Sequence, residues 1–155
     1  MIKHKEALYE ILDKARTDPS GSLSGKCDII LKSAGTNLPG DVFDFIALGD
    51  FTFEDVVTGD LKDKYVTFYQ DIICGSVVKL KETEGEVDAE DKACELARLV
   101  RTLLKGNRKL ISTSHPNGAA TSSSLIGTRS EAVMYSDGQA HVAVISVKIR
   151  AQEED

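Results

Sequence analysis

The sequence predicts an α+β fold: a mixed or antiparallel sheet with a short N-terminal helix and one long helix packed on it. Three observations carry this expectation. Two segments, one at each side of the chain's first 105 residues, repeat apolar residues at helical spacing. Between them lie runs rich in β-branched and aromatic residues. Near the end, Asp137-Gly138 stands between two β-like runs, which is a hairpin signal. Strands grouped around helices, without a strict alternation of the two, point to a layered α+β sheet.

The first helix is expected from about Ile2 to Arg16. Leu8, Ile11, Leu12 and Ala15 form one apolar stripe, and Lys3, Lys5, Glu6, Glu10 and Lys14 are set on the wet face. On this reading His4 also lies on the wet side. The helix must stop before Pro19, because the residue ahead of proline avoids helical angles. Ser20 to Gly25 reads as a loop. Lys26 to Ser33 alternates and predicts a strand; Ala34 to Asp41, with Gly35, Asn37, Pro39 and Gly40, predicts a turn. Val42 to Leu48 predicts a second strand, broken by Gly49-Asp50. Phe51 to Asp63 is ambiguous. Tyr65 to Leu80 predicts a long central strand or one bent near Gly75.

Asp88 to Lys105 predicts the long helix. Asp88 is placed as its N-cap, Glu90 and Asp91 put negative charge on its first turn, and Gly106 follows its end. Ala93, Leu96, Ala97, Val100, Leu103 and Leu104 make its buried stripe. Ser112 to Ser130 is expected to be a flexible loop, rich in Ser, Thr, Gly and Asn, within a single domain spanning residues 1–155. Glu131 to Tyr135 and Gln139 to Arg150 are expected to form the closing hairpin.

Composition bounds the function. The chain has 155 residues, 41% of them hydrophobic, and a formal net charge of −6. That size and apolar content support one folded core. The negative balance argues against sequence-specific nucleic-acid binding and against an anionic membrane surface, since both need clustered Lys and Arg. No apolar run approaches the ~20 residues of a membrane-spanning helix, and Met1 to Glu6 does not read as a signal peptide, so a cytoplasmic protein is expected. Cys27, Cys74 and Cys94 are odd in number and widely spaced, which suits free core thiols rather than a disulfide framework or a zinc site.

No catalytic constellation is legible, and no metal or cofactor is expected. His4, His115 and His141 share no ligand spacing. His115 lies in the Ser-rich loop, but no Gly-x-Ser-x-Gly elbow accompanies it. Gly106-Asn107-Arg108-Lys109 follows a helix C-terminus, whose dipole repels anions. Glu82, Glu84, Glu86, Asp88, Glu90 and Asp91 read as a solvated loop and helix start; a calcium loop beginning at Glu82 would put Val87 where the turn glycine belongs. The expected activity is therefore protein binding rather than catalysis. The candidate partner-binding residues are the polar ones of the long loop and its end: His115, Asn117, Thr121, Ser123 and Arg129.

The element layout resembles that of the tail terminator (tail completion) proteins of long-tailed bacteriophages. The resemblance rests on the helix Ile2 to Arg16, the strand Tyr65 to Leu80, the helix Asp88 to Lys105 and the terminal strands Glu131 to Arg150. Size and acidity agree, and Cys27 to Leu48 is longer and more strand-like than that layout. The resemblance implies a structural virion protein with no cofactor. It would form a hexameric ring that caps the tail tube and joins the tail to the head connector, in the host cytoplasm during assembly and then in the virion tail. The reading from a different class is a monomeric cytoplasmic binding domain for a small molecule or peptide.

Overall fold

The structure is a computed structural model and describes residues 2–33, 44–55, 65–79, 85–134 and 140–154. Helix α1 spans Lys3–Thr17 and buries His4, Ala7, Leu8, Ile11, Leu12 and Ala15. No side chain caps its start; Glu6 N–H donates to the Ile2 carbonyl at 2.9 Å. It ends at Asp18, whose extended φ −71° and ψ 124° are those expected ahead of Pro19.

Five strands follow the same path as the expected runs, with different limits. They are β1 (Ile29–Leu31), β2 (Asp44–Asp55), β3 (Tyr65–Lys79), β4 (Ser122–Met134) and β5 (Ala140–Glu154), with helix α2 (Gly85–Lys105) between β3 and β4. The sheet order is β1-β2-β3-β5-β4. β1 and β2 are parallel and every other neighbouring pair is antiparallel, so the sheet is mixed and the fold is α+β. The helices have 15 and 21 residues, a smaller contrast than one short and one long helix.

Several boundaries move for identifiable reasons. The strand expected over Lys26 to Ser33 shrinks to three residues. Gly49-Asp50 bulges β2 instead of breaking it, and Phe51 to Asp55 re-pairs with β3 after a register shift between Leu48 and Phe51. The helix begins at Gly85, so Asp88 lies inside its first turn and is not the N-cap. The largest correction concerns the loop expected at 112–130. Residues Ser122 to Ser130 are strand, paired with Gln152 to Ile145 of β5, because cross-strand pairing overrides a Ser-rich composition. The expected turns at Gly35 to Gly40 and Ser136-Asp137-Gly138 lie outside the described residues, as does Lys81 to Glu84.

Strand alternation divides the side chains between two faces. Both helices cover one face, where Ile46, Leu48, Phe68, Ile72, Cys74, Ile145, Val147, Ile149 and Ala151 are buried. From α2 it meets Ala93, Leu96, Ala97, Val100 and Leu104. Burial of each larger side chain stabilises by roughly 1.5–3 kcal/mol. On the opposite face a small second cluster holds Leu31, Phe45 and Ala47, flanked by Ile29, Ile73 and Val77. A Cβ added to Gly75 would lie 2.2 Å from Phe45 Cζ, so the missing side chain at this position is filled by the Phe45 ring.

His4 is not on the wet side. It is fully buried, four residues before Leu8 on the same stripe. Its ring stacks on Phe68 at 3.9 Å between centroids, with Phe51 and Phe53 edge-on at 5.5 and 5.7 Å. Nε2 meets Gln70 Oε1 at 3.1 Å. Burial pushes the imidazole pKa down to about 4. The Gln70 amide in turn donates to the Gly49 carbonyl at 2.9 Å, which satisfies backbone freed by the β2 bulge.

Candidate partner-binding surface

The segment between α2 and β4 is a tongue folded back on α1. Gly106 N–H donates to Thr102 at 3.2 Å, closing the helix. Ala119 and Ala120 N–H groups then donate to Leu110 and Lys109 carbonyls at 3.1 and 3.0 Å, which draws the two ends of the tongue together. Leu110, Ala119 and Ala120 are buried and anchor this neck in the core. Gly118 sits at φ +99°, and a Cβ there would approach the Lys109 carbonyl oxygen to 2.5 Å, so both its angle and its surroundings require glycine.

The tip of the tongue is stapled to α1. Ser114 N–H donates to Glu10 Oε2 at 2.9 Å, and His115 Nε2 meets Glu6 Oε1 at 2.9 Å. The Ser114 hydroxyl and backbone N–H hold the Glu10 carboxyl below its usual range. Asn107 braces the base, accepting from Ile111 N–H at 2.9 Å and donating to the Ile111 carbonyl at 2.8 Å. Between α1 and the tongue runs a groove of about 540 Å³, with Ile11, Ala15, Leu103 and Ile111 among its apolar lining and Glu10 and Lys14 at its rim.

The five residues singled out from the sequence do not converge on one point. His115 is half-buried against Glu6, and Asn117 is exposed beside it on the tongue. Thr121 is exposed where the tongue joins β4, with its N–H and hydroxyl both donating to the Gln152 carbonyl, at 2.8 and 3.2 Å. Ser123 turns inward and is buried, beside a cavity of about 230 Å³ lined by Leu104, Lys105, Arg108 and Ile149. Arg129 is exposed on β4, opposite Ser146. They mark a path from the tongue tip along the outer strand of the sheet. Sequence reasoning took Phe53 as an anchor and passed over Ile111 and Ile126, and the three are 48%, 48% and 46% exposed.

The contact that His115 makes through Nε2 is with the Glu6 carboxylate. Cys27 and Cys74 are buried free thiols and Cys94 is a half-buried one. Burial pushes the Cys27 pKa up to about 11, and that of Cys74 higher still. Among the described residues no group of three or more His, Cys, Asp or Glu is placed to hold a metal, and no helix is long and apolar enough to cross a membrane.

No family model matches the chain, and no curated protein does. A solved structure does match: a chain of the virion of a native gene transfer agent particle, at TM-score 0.56 and 14% identity. The alignment covers 96% of this chain and 94% of the other. The two share a fold over nearly their whole length.

Proposed function

We propose that this chain is a structural virion protein of the phage-tail type, a tail terminator. It forms a ring on the end of the tail tube, stops tube growth and presents a surface to the head connector. The observation that carries the reading is the end-to-end fold match with a chain from a phage-like virion, 96% against 94% coverage. The match spans both chains nearly end to end and so supports a shared fold, from which the virion role is taken by analogy. The order of elements, α1, β3, α2 and the terminal strands β4 and β5, agrees with the layout on which the resemblance to tail terminators rests. The net charge of −6 suits a ring through which DNA slides, because phosphate is retained only by clustered Lys and Arg.

The test is genetic and structural. Removal of the gene from its particle-producing host should leave heads without tails and tubes of uncontrolled length in electron micrographs. Purified protein added back should cap those tubes and restore joining. Normal particles in the absence of the gene would overturn the reading.

A second reading has one observation in its favour. The groove of about 540 Å³ between α1 and the tongue is within the size range of ligand sites. A monomeric binding domain would take a small molecule or peptide there. It predicts a chain that stays monomeric and a ligand-dependent rise in melting temperature.

A further inference from the structure

The sheet ends in two unequal edges. On one side β4 is outermost, with Ser122 to Met134 paired only to β5. On the other side β1 covers β2 only at Phe45, Ile46 and Ala47. Among the described residues no strand lies outside Leu48 to Asp55 of β2 or outside β4. Apart from the Gly49 and Asp50 carbonyls, which accept from the Gln70 amide, each stretch presents backbone N–H and C=O groups able to pair with another chain.

We propose that these two edges pair with each other between copies of this chain, β4 of one subunit against residues 48–55 of β2 in the next. The inference deepens the ring reading above and rests on it. Three observations lead to it. Strand direction comes first. β2 runs antiparallel to β3, β3 to β5 and β5 to β4, so β4 runs opposite to β2. Rotation about an axis along the strands preserves direction, so β4 meets the next subunit's β2 as a further antiparallel pair. The contact uses two different surfaces, and such contacts form a ring where the rotation between copies closes.

Side chains supply the second observation. Of the four large apolar residues left exposed among the described residues, Phe53 lies on the β2 edge and Ile126 on the β4 edge. Exposed Asp50 on β2 and exposed Arg129 on β4 are of opposite charge, while the β2 stretch also holds Glu54 and Asp55 and the β4 stretch Glu131. Asp50 precedes Phe53 by three residues and Ile126 precedes Arg129 by three. One antiparallel register therefore sets Ile126 against Phe53 and Arg129 against Asp50 at once. That register spans residues 124–131 of β4 and stops short of β1.

The third observation is curvature. Both edges carry an irregularity within the paired stretch, between Leu48 and Phe51 in β2 and between Leu125 and Gly127 in β4. Bulges bend and twist a sheet, and a closed ring of sheets needs bending.

The experiment uses the full chain at about 100 µM, in the concentration range where weak edge contacts register. Native mass spectrometry should show a closed ring, six copies of the 16.8 kDa chain on the hexamer reading. Arg129→Glu should weaken assembly about 10-fold or more, and Asp50→Arg on the Arg129→Glu background should restore it. Under mild oxidation Phe53→Cys with Ile126→Cys should give a ladder of covalent multimers, and Phe53→Cys with Arg129→Cys, three residues out of register, should not. Circular dichroism checks that each variant is folded. A wild-type monomer overturns the proposal, as does a covalent dimer from Ile126→Cys alone, which would mean β4 pairs with β4. A ring indifferent to the edge variants overturns the edge pairing but leaves the tail-terminator reading standing. A ring that crosslinks as expected yet fails to cap tubes does the reverse.

Discussion

The two faces of the one sheet differ in what their side chains are for. Along β5, Ile145, Val147, Ile149 and Ala151 face the helices and are buried, while Lys148 and Arg150, between them in sequence, are exposed on the other face. Along β3, Phe68, Ile72 and Cys74 alternate with Tyr69, Asp71 and Ile73, which are half-buried. The backbone ladder is common to both faces, so the contrast lies in the side chains. Folding free energy is concentrated where α1 and α2 pack; the opposite face adds only the smaller cluster of Leu31, Phe45 and Ala47.

A pair of charge substitutions gives the sharpest test of that contrast. Val100 is fully buried on α2. Val100→Asp should unfold the domain, since an unpaired buried charge costs several kcal/mol against a total of about 5–15. Arg150→Asp, on the exposed face, should shift stability by roughly 0.5 kcal/mol or less. Circular dichroism melts of both decide. A native-like melt for Val100→Asp would mean that the helix-covered face is not the one holding the fold together.

A smaller effect is expected from pH, through the His4 imidazole inside the helix-covered face. His4 has its pKa lowered from 6.5 to about 4 by burial. The unfolded chain therefore binds a proton that the folded chain refuses between those values. Stability is complete above pH 6.5 and falls as pH drops toward 4. Between pH 7 and 5 the loss should be about 2 kcal/mol in urea unfolding. His4→Gln should flatten the slope in that window. A wild-type curve that is already flat would place His4 in water.

Thiol reactivity grades the same face by depth. Cys94 is half-buried, whereas Cys27 and Cys74 are buried with raised pKa values. A disulfide-exchange reagent at pH 8 should label Cys94 first, then Cys27, and Cys74 only on unfolding. Unreduced, unfolded protein should titrate as three thiols; a count of one would show a disulfide.

Legibility in the sequence followed the same division. The helix-covered face was readable because its apolar residues keep a period, as at Leu8, Ile11, Leu12 and Ala15, or Leu96, Val100 and Leu104. His4 was readable too, since it stands four residues before Leu8, but a titratable side chain was assigned to water on type alone. The β4 edge was not readable. Ser122-Ser123-Ser124 and Thr128-Arg129-Ser130 carry loop-like composition, and only the long-range pairing with β5 makes them strand. The candidate surface inherits that difficulty. His115 and Asn117 were placed on a projecting segment by composition, yet nothing local announced that Glu6 and Glu10, over a hundred residues earlier, would hold it.

A small stability change is also expected where that tongue meets α1, and it separates folding from joining. The His115–Glu6 contact is 2.9 Å long, with side chains 17% and 35% exposed. A partly exposed pair of this kind contributes up to about 1 kcal/mol. The neck, by contrast, is tied by Leu110, Ala119 and Ala120 in the core. His115→Ala should therefore lower stability by less than about 1 kcal/mol while freeing the tip alone. Amide exchange at residues 112–117 should speed up several-fold, with Leu96 to Leu104 unchanged, because local opening does not require global unfolding. If the tongue is the surface that meets the head or tube partner, joining should weaken with the tip's order, as binding then has to supply the ordering entropy. Unchanged exchange at the tip would mean that the staple does not hold it. Faster exchange with undiminished joining would remove the tongue from the partner surface and leave the sheet edges as the part of the molecule that faces outward.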